Sequence, residues 1–459
     1  MPRVVILCVL LTVRAIPGPA TAGTLIDHVW SGHPVNFALL TERGHQFIAY
    51  YDANRRLTVA GRRLDSDTWR RVQPPGVPVR ARQRESNVMG WDSHNDLVLA
   101  LDRDGCLHVS GNMHNDPLVY YRTSQPFAVE TLERVDRMTG ARERSCTYPV
   151  FFRNAGGDLL FRYRDGSSGR GSDRYNIYDP ARRAWRPVIN TPLLDGEGAR
   201  NAYALDPVLG PDGRFHLVWV WRDTPNNATN HTLSYARSRD FVHWETSRDE
   251  TLLLPIRAAS GDVIDPAGIR QGLTNMGLNL GFDARQRPVV VYHRYDAHGR
   301  SQAFIARPTA TTAGSAPAWE LRQLSNWNFR WALSGPGSIA SEVTLGTPQL
   351  AADGSLLVDF WTRKAGAGRW RLHADTLECT ATLPARSTAL PAELAQAASS
   401  YPNMEVQLAT SRSGGRLWVL RWETLPRNRD RPRETVPPPS ELRLYEFSDT
   451  AADTSDPTE

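Results

Sequence analysis

Four short segments concentrate side chains that can move protons or hold anions. WDSHND (91–96) carries His94, SGNMHND (110–116) carries His114, CTYP (146–149) carries Tyr148 and FRYRDG (161–166) carries Arg164. An imidazole or a phenol can take up or release a proton in a transition state. A guanidinium presents a planar, two-pronged donor face that matches a carboxylate or sulfate. A single histidine is most often structural, and a single Arg at a strand end is an ordinary surface residue. The functional reading therefore requires the four to meet, which depends on the elements that carry them.

Those elements read as β-strands in a repeat. An apolar strand, a tight turn and a second alternating strand recur seven times, with turns near Asn54, Gly105, Gly157, Gly213, Gln286, Gly354 and Gly415. Asp-Gly and Gly-Gly between apolar runs are hairpin signals, because Gly accepts positive φ without steric cost. A polar turn followed by Trp comes later in several units: SDTW (66–69), YDPARRAW (178–185), SRDFVHW (238–244) and APAWEL (316–321). These read as outer hairpins of the same unit. No segment keeps a long 3.6-residue period. An all-β fold is expected, a seven-bladed β-propeller spanning residues 23–449.

The repeat also places a face. X-Pro pairs at Tyr148-Pro149, Asp206-Pro207 and Thr347-Pro348 are expected to open inner strands, where a missing N–H is tolerated. The returning strands end in His114, Arg164, Arg222, Arg294, Arg363 and Arg421. If inner strands start and second strands finish at one mouth, these side chains form a cationic ring suited to an anionic ligand. His94, His114, Tyr148 and Arg164 then share that mouth on adjacent units.

Composition bounds the rest. With 41% hydrophobic and 22% charged residues among 459, the chain is too polar for a multi-span membrane protein and too rich in apolar and aromatic residues for a disordered one. Arg3, the apolar run 4–13 and Ala20-Thr21-Ala22 read as a secretory leader over residues 1–22, so a secreted or periplasmic location is expected. Arg outnumbers Lys 53 to one (Lys364), a bias of base composition that gives the Arg count itself little functional weight. The formal charge of +5 falls to +3 without the leader's two Arg, which gives no case for nucleic acid. No second long apolar segment suggests a membrane span. Three cysteines remain, Cys106, Cys146 and Cys379, so one at least is unpaired; Cys106 and Cys146 are either a disulfide or two buried thiols. Residues 450–459 read as a polar, disordered tail, and a monomer is expected.

The pairing of His94 with His114 and of Tyr148 with Arg164, in a seven-unit chain of BNR-like repeats, resembles the propeller-type ulvan lyases. The fold-level likeness covers about residues 33–447, and its specific part lies in residues 91–165. That resemblance implies an exported polysaccharide lyase acting on 4-linked glucuronate or iduronate by β-elimination. It implies that Arg164 neutralises the uronate carboxylate, that His94 and Tyr148 exchange protons as acid and base in an order left open, and that His114 holds the carboxylate or orients the others. Arg222, His293 and Arg294 are expected to bind sulfate or carboxylate groups at neighbouring subsites, and Asn95, Asn115 and Asn201 to bond sugar hydroxyls. Some members of that family hold a structural zinc through His and Cys; no matching spacing stands here, so no metal and no cofactor is expected.

Two other readings compete. A sialidase-like glycoside hydrolase needs paired carboxylates or a Tyr–Glu pair, and Asp92, Asp96, Asp206 and Glu197 form no convincing pair. SRDFVHW faintly resembles an Asp-box turn, which is scaffold. A non-catalytic sugar-binding propeller would show binding without turnover.

Overall fold

The computed structural model describes residues 23–448 apart from 169, 310–317, 336–338 and 386–391. The leader and the polar tail read from the sequence lie outside the described residues. The described chain is all-β save for three 3-10 turns and a single helical turn, Ala392–Ala395. No described helix is long and apolar enough to cross a membrane.

Seven sheets of four or more strands follow one another along the chain, with a two-stranded ribbon at Pro78–Val79 and Arg84–Glu85. Four are built from consecutive stretches of chain, and the second and third interlock, because His114–Asp116 lies between strands of the second sheet and pairs in the third. The seventh joins the two ends: Thr24–Val29 pairs antiparallel with Ser440–Ser448, beside Arg416–Thr424 and Glu405–Ser413. Neighbouring sheets bury their apolar faces against each other. Val59, Leu107, Phe161 and Trp422, from four different sheets, share one core, and Phe37 stacks on Trp422 at 4.5 Å. Smaller cores join the third sheet to the fourth, the fourth to the fifth and the fifth to the sixth.

The hairpins that mark the repeat have a common cause. An Asp at the turn accepts backbone N–H groups two and four residues on: Asp102 from Asp104 and Cys106, and Asp283 from Arg285 and Arg287. Gly105 then takes φ +84°, and the fifth unit meets the same demand with Gln286 at φ +61°. In two units the Asp is locked further by a fully buried histidine. His108 lies 3.3 Å from Asp102 and 2.8 Å from the Tyr120 hydroxyl; His216 lies 3.0 Å from Asp212 and 2.6 Å from Tyr235. Trp185, Trp244 and Trp319 sit on outer strands, as the Trp signals implied. In SRDFVHW, Asp240 accepts the Val242 and His243 N–H groups and Ser238 that of Phe241, so the motif builds a turn.

Two sequence expectations shift. The turn at Asn54 joins the second and third strands of its sheet; the first hairpin is Glu42–His45, too short to stand out beside the Asp52 turn. The X-Pro pairs do not open strands. Tyr148-Pro149 falls in a register break of Cys146–Arg153, the strand beside the inner edge of the third sheet, and Asp206-Pro207 and Thr347-Pro348 fall where the innermost strand of the fourth and of the sixth sheet divides in two. A proline offers no N–H to its partner strand, so the ladder is interrupted there. All three described cysteines are free thiols, Cys106 and Cys146 buried and Cys379 exposed, so the disulfide alternative does not hold.

Candidate active site

The break in the third sheet builds the site. Tyr148 precedes Pro149 and has φ +56°, a left-handed conformation rare for an aromatic residue. It lies between Thr147 and Val150, where the register slips. Such a bulge re-aims a side chain that strict alternation would have buried. The Tyr148 ring consequently lies 5.8 Å from that of His94 and 6.5 Å from that of His114.

His114 reaches the same place by a change of sheet. The returning strand of the second sheet ends at Gly111, and His114–Asp116 is the inner edge strand of the third sheet, opposite Cys146–Thr147. It does not end its own unit's strand, as the repeat suggested, because the chain crosses over at Asn112 (φ +57°). Arg82 of the ribbon clamps the segment, donating to the His114 carbonyl at 2.6 Å and to buried Asp116 at 2.8 Å. His94 rides on a loop before the second sheet. That loop is pinned by the Tyr51 hydroxyl on the Asn95 carbonyl at 2.7 Å, by the Asn36 N–H on Asp96 at 2.8 Å and by Ser93 on Asp430.

Asp92 joins the two imidazoles. One carboxylate oxygen accepts the His94 N–H and faces His94 Nδ1 at 2.8 Å; the other faces His114 Nδ1 at 2.5 Å. The rings are 4.3 Å apart. Burial would raise the Asp92 carboxyl, but hydrogen bonds from His114 and His94 outweigh it and hold the group well below the usual carboxylate range. A carboxylate only accepts, so each facing Nδ1 carries a proton, and in a neutral ring the lone pair is on Nε2. Burial pushes the Tyr148 phenol up, and the pull of Arg164 and Arg222 does not cancel it. These three donors, Asp92, His94 and His114, bring ligand atoms within 4.8 Å of one another, the one such cluster among the described residues. Both Nδ1 atoms already face the carboxylate as hydrogen-bond donors, and no cysteine joins the group.

Arg164 lies beneath Tyr148, its guanidinium carbon 4.9 Å from the ring centre. It is 6% exposed, and its hydrogen bonds go to the Gly166 carbonyl at 3.1 Å and the Thr147 hydroxyl at 3.3 Å. Arg222, at the equivalent place in the fourth sheet, stacks on Tyr203 at 3.8 Å and donates to the amide oxygens of Asn230, Asn227 and Asn275. Neither guanidinium has a carboxylate partner among the described residues. The rest of the expected ring is compensated: Arg294 pairs with Asp265 at 3.2 Å, Arg363 with Glu342 at 3.8 Å and Arg421 with Glu423 at 2.6 Å.

The other expected binding residues divide. Asn115 is exposed beside His114, its N–H on Thr147. Asn95 is wholly buried, with both side-chain polar atoms unpartnered, and Asn201 is buried, clamping Gly171 and Ser167. His293 lies in the core, donating its Nδ1–H to the Gly272 carbonyl at 2.8 Å and packed edge-on to Trp331; burial lowers its pKa to about 4. It therefore offers nothing to a ligand at the surface, and Arg294 is already held by Asp265. Tyr203 and Asp430 were missed. Tyr203 bonds Ser168 at 2.7 Å beside Arg222, and its only sequence signal was its place at the start of an inner strand.

A family model described as BNR repeat-containing family member matches residues 45–327. The chain belongs to the BNR repeat-containing family. The crystal structure of polysaccharide lyase Uly1 superposes with a TM-score of 0.60 at 12% identity, covering 95% of this chain and 99% of that one. A PL25 ulvan lyase superposes with a TM-score of 0.58 at 12% identity, covering 93% of this chain and 95% of its own. A structure of a PL25 ulvan lyase bound to -[GlcA(1-4)Rha3S]- gives 0.58 at 11% identity with the same coverage. At these identities the likeness shows a shared fold. No curated protein matches this BNR-family chain.

Proposed function

We propose that this chain is a polysaccharide lyase that cleaves 4-linked uronic acids by β-elimination, and that its seven sheets are seven propeller blades. The observation that carries the proposal is a buried guanidinium without a counter-ion among the described residues, Arg164, set beside two imidazoles and a phenol. A buried cation without a carboxylate is costly, and an arriving carboxylate relieves that cost. The blade reading is supported by the terminal strand pairing and by the likeness to the solved lyases.

In this mechanism the uronate carboxylate lies on Arg164, with Arg222 beside it. Neutralising that charge acidifies the C5 proton. The lone pair on His94 Nε2 takes the proton, and Asp92 stabilises the imidazolium through Nδ1. The C5–H electrons form the C4=C5 double bond, the C4–O4 bond breaks, and the protonated Tyr148 phenol supplies the proton that O4 needs. His114, on the other carboxylate oxygen, orients the group. Three of the four acids weighed for a hydrolase are in ion pairs, Asp92 with both histidines, Asp206 with Arg162 and Glu197 with Arg257, and the fourth, Asp96, accepts the Asn36 N–H.

The test is incubation with a panel of 4-linked uronate polymers. Ultraviolet absorbance of an unsaturated uronate is expected, with fragments one water lighter than hydrolysis products. Saturated fragments alone would make the chain a hydrolase. Binding without any cleavage across the panel would make it a non-catalytic binding protein.

A further inference from the structure

Residues 426–440 link the last two strands of the seventh sheet as a long irregular strap rich in Pro and Arg. The strap is built. Ser31 donates to the Pro438 carbonyl at 2.8 Å, Arg433 closes the loop onto the Pro426 carbonyl at 2.6 Å, and Asn428 donates to the Arg431 carbonyl at 3.0 Å. Arg429 and Asp430 both take left-handed backbone, φ +51° and +59°. At that apex Asp430 accepts the Ser93 N–H at 2.9 Å and its hydroxyl at 2.8 Å, and its other oxygen lies 4.0 Å from His94 Nδ1. The apex thus borders the proton-transfer residues, although 337 residues separate Asp430 from Ser93.

Charge alternates along the apex. Asp430 turns in to Ser93, while Arg427, Arg429 and Arg431 stand exposed with no ion-pair partner among the described residues. Three like charges on one tight loop repel, and an anionic ligand relieves that repulsion. We infer that Arg427, Arg429 and Arg431 form a subsite for sulfate or carboxylate groups on sugars next to the one cleaved, held at the mouth by the Asp430–Ser93 clasp. The inference rests on the polysaccharide reading above and adds to it a preference for densely anionic polymers over neutral ones.

The test is affinity electrophoresis in gels containing a sulfated glucuronate–rhamnose polymer or neutral dextran, in a His94→Ala background to prevent cleavage. R427Q/R429Q/R431Q is expected to weaken retardation by the anionic polymer about tenfold in Kd. R186Q/R239Q removes exposed charge from other sheets and is expected to change it by less than about twofold. The single Arg429→Glu, which leaves the rest of the strap intact, is expected to lose about tenfold as well, covering the case in which the triple variant misfolds. Added salt should weaken the parent's binding more steeply than the triple variant's. Equal retardation of parent and triple variant, or equal loss in R186Q/R239Q, would overturn the subsite. Retardation without double-bond formation by the active chain would remove the lyase reading and leave the subsite standing. Double-bond formation with an unchanged KM in the triple variant would remove the subsite alone.

Discussion

Asp92→Asn keeps the shape of the residue between the two imidazoles and removes its charge. The carboxylate accepts three hydrogen bonds, from the His94 N–H, His94 Nδ1 and His114 Nδ1. The amide has one accepting oxygen, and the His94 backbone N–H favours keeping it on the His94 side. The NH2 group then faces His114 Nδ1 and can be satisfied only if that nitrogen gives up its proton. His94 keeps its tautomer but loses the anion that steadies its imidazolium in the transition state. A unit charge about 4 Å away at an effective dielectric of about 20 contributes at most about 4 kcal/mol. Exchanging a charge-assisted hydrogen bond for a neutral one costs about 1–2 kcal/mol. The expected loss is therefore about 2–4 kcal/mol, a fall in kcat of about 30- to 1000-fold. KM should change little, because Arg164 still meets the carboxylate. The assay is double-bond formation on a cleaved uronate polymer, with near-ultraviolet circular dichroism to check folding. A folded variant with kcat within about threefold of wild type would refute the stabilisation of the His94 imidazolium by Asp92.

Arg164→Lys should lower kcat/KM by about 100-fold or more, since an ammonium cannot copy the two-pronged contact; wild-type rates would end the neutraliser role. His94→Ala and Tyr148→Phe should each cut kcat by about 100-fold or more, and a fully active Phe variant would show that the phenol is not the proton donor. His293, neutral and fully buried with its pKa lowered to about 4, gives a stability prediction. Above about pH 6.5 it is uncharged folded or unfolded; as pH falls from there toward 4 the unfolded chain binds a proton that the folded chain refuses. Stability should therefore decline across that window by about 3 kcal/mol from this residue. Urea midpoints at about pH 7.5 and pH 4.5 should show a smaller decline for His293→Gln than for wild type, and equal declines would place the effect elsewhere.

The strand repeat was legible because it is local. An Asp that caps its own turn, a glycine at positive φ and alternating apolar residues act over a few positions, and each unit repeats them. The same local signals placed Tyr148 and Arg164 near one rim, since Arg164 pairs across the strand with Thr147. What misled was also local: His293 and Arg294 stand at a strand end like Arg164, yet one is sealed beneath Trp331 and the other neutralised by Asp265. Burial and counter-ions come from neighbouring strands and sheets, and no spacing along the chain reports them.

By itself the order of residues determined the kind of element, the number of repeats and the chemical types available at the inner rim, because backbone propensity and turn chemistry act between near neighbours. Tertiary structure alone decided that Asp92 bridges two histidines, that the chain crosses sheets to deliver His114, and that Asp430 of the last sheet meets Ser93. Those contacts arise when the faces of successive sheets are buried together and the two chain ends share one sheet, and which guanidinium meets no carboxylate among the described residues is settled only then.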